Sequence, residues 1–160
     1  MSNEQMTASK ARLRAEDAED LAVIAAFLQD AATNLKEMVY TPDEQRFIGV
    51  FKRFRREHQA DWNSCDGLTL CTAALTFEQV ASAKYRGLDA RDLDRPLSLL
   101  TIATEPGQQQ LIHIDLVFEG GAEIQLRTDQ IMAKLEDLDE PVLAKTTPCD
   151  HFKEILDSAG

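Results

Sequence analysis

The stretch Leu111–Thr128, LIHIDLVFEGGAEIQLRT, constrains the fold of this chain more than any other. Ile112, Ile114, Leu116 and Phe118 fall on one side, with His113, Asp115, Val117 and Glu119 on the other. After Gly120 and Gly121 the alternation resumes: Ala122, Ile124 and Leu126 are apolar, whereas Glu123, Gln125 and Arg127 are polar. Period-two patterning on both sides of a glycine pair predicts a β-hairpin. Opposed residues of a hairpin share a face, so the two apolar sets must meet. A two-residue Gly120-Gly121 loop would set Phe118 against Glu123. A three-residue loop, Glu119-Gly120-Gly121, instead opposes Phe118 to Ala122, Leu116 to Ile124 and Ile114 to Leu126. That loop needs a left-handed residue at its end, which Gly121 supplies without steric cost. An isolated hairpin is marginal in water, so further strands or a helix must cover its apolar face.

Upstream, Ala11 to Ala15 is a short strand candidate. Acidic residues 16–20 then lead into LAVIAAFLQDA, where Leu21, Ile24, Leu28 and Ala31 form one stripe, predicting a helix over residues 17–32. Leu35 to Tyr40, a Pro42 turn and Arg46 to Arg56 read as strand, turn, strand. In the second of these Phe47, Gly49, Phe51 and Arg53 share one phase. Residues 57–67 form a polar loop, and Leu68 to Tyr85 is a long strand-like run. Its phase slips near Glu78-Gln79, which reads either as a β-bulge or as a break between two strands. Leu97 to Thr104 is a further strand that turns at Glu105-Pro106-Gly107 into the hairpin. Past Thr128, Ile131, Met132, Leu135 and Leu138 fit a helical stripe, and Phe152, Ile155 and Leu156 a short final helix.

These elements predict an α+β fold: a curled, mostly antiparallel sheet of about six strands, an N-terminal helix and one or two C-terminal helices. The layout is similar to the pleckstrin-homology type of barrel, a likeness without functional content. Residues 1–10 read as a disordered tail and residues 11–160 as one α+β domain, large enough to bury about 70% of its unfolded surface. No signal-peptide core or membrane-length apolar run is present, and three cysteines without metal-type spacing fit reduced thiols, so a cytoplasmic protein is expected. The net charge is −11, and residues 96–160 alone hold four basic against twelve acidic side chains. Such an exterior repels polyanions and weighs against nucleic acid or an anionic membrane as partner.

Several runs together resemble a family of small bacterial proteins recorded only as a domain of unknown function. They are Glu19 to Ile24 with Leu28-Gln29-Asp30-Ala31, Tyr40-Thr41-Pro42 with Arg46-Phe47, Arg53-Phe54, Phe77-Glu78-Gln79-Val80, Leu97 to Leu100, and Phe118 to Ala122 with Ile124. The resemblance covers residues 11–140. It implies a single cytoplasmic bacterial domain and no established activity, substrate or catalytic residue.

Five side chains stand out as contact candidates. Lys52-Arg53-Phe54-Arg55-Arg56 is the one basic cluster, and Arg53 and Arg55 would touch RNA or phosphate. Alternation splits it between two faces, so guarding an open edge or pairing with the acidic C-terminal part is the better account. His113 and Asp115 share the hairpin's polar face, with Arg127 opposite His113. Such a set can ligate a metal or transfer protons, but it has no evident third ligand. Cys149-Asp150-His151 lacks the geometry of an activated thiol, and neither acidic run has the spacing of a calcium loop. No cofactor is implied. The preferred expectation is a non-enzymatic binding or assembly module with a protein partner or a second copy of itself. The alternatives are a small enzyme on the hairpin's polar face and a weak RNA binder through the basic cluster.

Overall fold

The computed structural model describes residues 10–55, 57 and 68–143. The hairpin is formed by β8 at Ile112–Phe118 and β9 at Glu123–Thr128. Leu116 lies opposite Ile124 and Ile114 opposite Leu126, the register that the apolar pattern requires. The loop has three residues, and the Phe118 N–H donates across it to the Ala122 carbonyl at 2.9 Å. Both Gly120 and Gly121 are left-handed, at φ 80° and 82°. Phe118, Leu116, Ile114, Ala122, Ile124 and Leu126 are all buried.

Two strands flank the hairpin: β7 (Leu97–Pro106) beside β8 and β6 (Val80–Arg86) beside β9. A second group consists of β4 (Arg46–Phe54), β5 (Thr69–Phe77), β10 (Ala133–Asp137) and β1 (Arg12–Ala15), in that order. Short β3 (Met38–Thr41) and β11 (Val142–Leu143) border β4 and β5. The groups are joined by β2, only Ala32–Thr33, which pairs with both β4 and β7. Every pairing is antiparallel, and the order runs open from β1 to β6. The sheet bends back on itself, so that the Val80 N–H donates to the Gln45 carbonyl at 2.8 Å and the Tyr40 hydroxyl to the Val80 carbonyl at 2.7 Å. One core runs through both groups.

Helix α1 (Ala18–Phe27) closes on this core through Leu21 and Ile24. Asp17 caps it, its carboxylate accepting from the Asp20 N–H at 2.7 Å. The helix is shorter than the predicted 17–32. Asp30 turns left-handed at φ 65°, and residues 30–31 exchange backbone hydrogen bonds with Leu99. Pairing with β7 takes the chain out of the helix, while Leu28 and Ala31 of the predicted stripe still end fully buried.

Two further expectations are corrected. The sheet has eleven strands among the described residues, not about six. Part of that excess comes from the break at Glu78-Gln79, where Gln79 is left-handed at φ 63° and β5 and β6 join different parts of the sheet. Residues 131–138 form no helix: Ile131, Ala133, Leu135 and Asp137 point inward by twos, while Met132 and Leu138 are 40% and 51% exposed. Leu135 belongs to both patterns, and the free edge of β5 decides for the strand. The described residues, with an open strand order and a strand at 133–137, do not confirm the pleckstrin-homology layout. The final helix at 152–156 lies outside the described residues, as does the loop apart from Glu57. No helix among the described residues is long and apolar enough to cross a membrane.

Candidate functional site

The candidate side chains separate into two places. The first is interior. Strand β4 alternates Phe47, Gly49, Phe51 and Arg53 toward the core, so the guanidinium of Arg53 is fully buried and needs acceptors. Asp137 occupies the same inward phase on β10 and supplies them: Arg53 Nε and Nη2 donate to its two carboxylate oxygens, each at 2.8 Å. Arg53 Nη1 and Nη2 also donate to Glu57, at 2.9 and 2.7 Å. The Ala11 N–H donates to Asp137 Oδ2 at 2.7 Å, tying the chain before β1 to the same carboxylate. The Phe27 ring lies 5.3 Å from the guanidinium carbon.

Burial opposes charge on Arg53, yet the hydrogen bonds it donates to Asp137 and Glu57 outweigh it and raise its pKa further. Burial likewise works against an ionised Asp137, and Arg53 with the Ala11 N–H overcomes it, holding the carboxyl below the usual range. Cys71, opposite Arg53 across β4 and β5, has its thiol pushed up to about 12, chiefly by burial. A thiol so protonated is a poor nucleophile. Arg55 is buried too, whereas Lys52 is exposed, and Arg56 lies outside the described residues. The basic run therefore presents no single exposed patch.

The second place is the outer face of the hairpin. The register lays Ser82, Arg127, His113 and Glu105 in one row across β6, β9, β8 and β7, and Lys84, Gln125, Asp115 and Ala103 in the next. Lys84, Glu105, His113, Gln125 and Arg127, with the loop after β7, line a groove of about 530 Å³. His113 Nδ1 is 3.7 Å from Glu105 Oε1. Gly107 lies against the imidazole so closely that a Cβ there would come within 2.9 Å of Nε2. That loop closes with the Gly107 N–H donating to the Leu111 carbonyl at 2.7 Å, and Gln109 and Gln110 are both left-handed. Asp115 is buried beside the groove and accepts from Gln125 Nε2 at 3.0 Å. Neither Arg127 nor Lys84 has an ion pair or side-chain hydrogen bond among the described residues.

The structure thus brings His113 and Arg127 together, places Asp115 behind Gln125, and sets Arg53 and Arg55 apart in the other half of the sheet. Lys84, Glu105 and Gln125 were not singled out from sequence: Lys84 arrives through β6 pairing with β9 about forty residues away, Glu105 through β7 pairing with β8, and Gln125 is one of several polar residues of the hairpin. Asp137 and Glu57 were missed as well, although Asp137 in an inward phase carries its own signal. Among the described residues no three His, Cys, Asp or Glu side chains gather closely enough to hold a metal ion.

No curated protein and no solved structure matches this chain. A family model described as "Protein of unknown function (DUF2948)" matches residues 11–151, and the chain belongs to that family.

Proposed function

We propose that this DUF2948 member is a cytoplasmic, non-enzymatic binding module whose contact surface is the groove over β8 and β9. One observation carries this reading: Arg127 and Lys84 face a concave surface with no acceptor of their own among the described residues. Cations left uncompensated in a cleft are available to a ligand, and about 530 Å³ lies within the size range of small-molecule sites, roughly 300–1,000 Å³. A rigid antiparallel sheet whose opposite face is packed gives such groups fixed positions. Strand addition at the open β6 edge is less favoured, because Lys84 sits in the middle of that edge. Acid–base catalysis on the same face would rest on His113 and Glu105, whose 3.7 Å separation exceeds the reach of a direct hydrogen bond.

An NMR fragment screen on uniformly labelled full chain tests the reading. Hits are expected to shift Lys84, His113, Gln125 and Arg127 together. Hits gathered instead at the smaller cleft beside Thr33 and Lys52, or none on the hairpin's outer face, would contradict it.

A further inference from the structure

The groove is electrically lopsided. Lys84 and Arg127 stand on β6 and β9, His113 follows on β8, and Glu105 stands on β7. Arg127 and Glu105 lie on either side of the same His113, so two strand spacings separate them, roughly 9–10 Å between backbones. We infer that the groove takes a small zwitterionic ligand, with a carboxylate or phosphate end held by Arg127 and Lys84 and an ammonium end facing Glu105. This inference rests on the groove being the contact surface proposed above.

Arginine is suited to the first role, since its planar fork donates two parallel hydrogen bonds to one oxyanion, whereas lysine acts as a point charge. Gln125 lies between the two cations and spends one amide N–H on Asp115, leaving its second N–H for the same anion. Glu105 is 57% exposed at the side chain and repels an anion from its own end, which fixes the ligand's direction. The overall charge of −11 does not prevent this, because charges beyond about 8 Å are screened at physiological salt.

Chemical-shift titrations of the full chain with butyrate, 4-aminobutyrate, inorganic phosphate and phosphoethanolamine test the inference. All four are expected to move Arg127 and Lys84, the amine-bearing member of each pair binding more tightly; the two pairs separate carboxylate from phosphate. Arg127→Gln should weaken every probe about tenfold or more, with Arg127→Lys restoring part of the loss. Glu105→Gln should erase the amine advantage and leave the plain anions unweakened. Unchanged melting temperatures would show that these surface variants fold. Neutral fragments binding in the groove while all four probes fail, or equal binding within each pair, would overturn this inference and leave the contact surface standing. Nothing binding in the groove at all would overturn both.

Discussion

Asp137→Ala is expected to lower the unfolding free energy by about 3 kcal/mol, the lower end of what breaking a buried ion pair costs. The loss stays at that end because Glu57 still neutralises part of the Arg53 charge through two short hydrogen bonds. Against a typical domain stability of about 5–15 kcal/mol it is a large fraction, readable as a lower midpoint in urea. The double variant Arg53→Met with Asp137→Leu should recover most of it, since a well-packed apolar pair needs no charge compensation. A double variant no more stable than Asp137→Ala would show that the pair does more than neutralise its own burial. The same carboxylate gives the fold a pH dependence whose sign follows from its lowered pKa. The unfolded chain takes up the Asp137 proton near the ordinary value of 3.8, before the folded chain does. The stabilisation is therefore complete above about pH 4 and is lost as pH falls below it through the folded value. Urea midpoints followed from pH 7 to pH 3 should drop less steeply in Asp137→Asn.

Phe118→Ala should cost a similar or greater amount, about 3–5 kcal/mol, because the ring is fully buried at the end of β8 and its loss leaves a cavity. Phe118 is opposite Leu99 on β7 and closes the hairpin through Ala122, so the deletion reaches two strand pairs. Tyr85 makes the natural control: it lies opposite Ile124 on the edge strand β6 and is 46% exposed. Tyr85→Ala should cost far less, within about 1 kcal/mol. Equal losses in the two variants would mean that Phe118 is no better enclosed than a half-exposed position at the sheet edge.

The hairpin was legible because its evidence is local. Alternation, a glycine pair and the need to keep Phe118 away from Glu123 jointly specify register and loop length. Residues 131–138 were misleading for the converse reason. Leu135 serves a helical stripe and a strand phase equally, and only the vacant side of β5 selects the strand. Asp137 could have settled it: as a strand residue it shares the phase of Ala133 and Leu135, and Arg53 shares that of Phe47 and Phe51. Two opposite charges in inward phases ask for each other. The groove was half visible, since His113 and Arg127 oppose one another within a single hairpin. Its other walls come from β6 and β7, and long-range strand order cannot be read from alternation alone.

Arg53 is locked between the carboxylates of Asp137 and Glu57, whereas Arg127 is the arginine proposed to receive the ligand. A side-chain ¹H–¹⁵N correlation of the arginine Nε–H groups, recorded while inorganic phosphate is added, tests that division most directly. Arg53 should show a slowly exchanging signal that phosphate does not move, and Arg127 a fast-exchanging one that shifts as phosphate rises. A protected, unresponsive Arg127, or an Arg53 that follows phosphate, would contradict it.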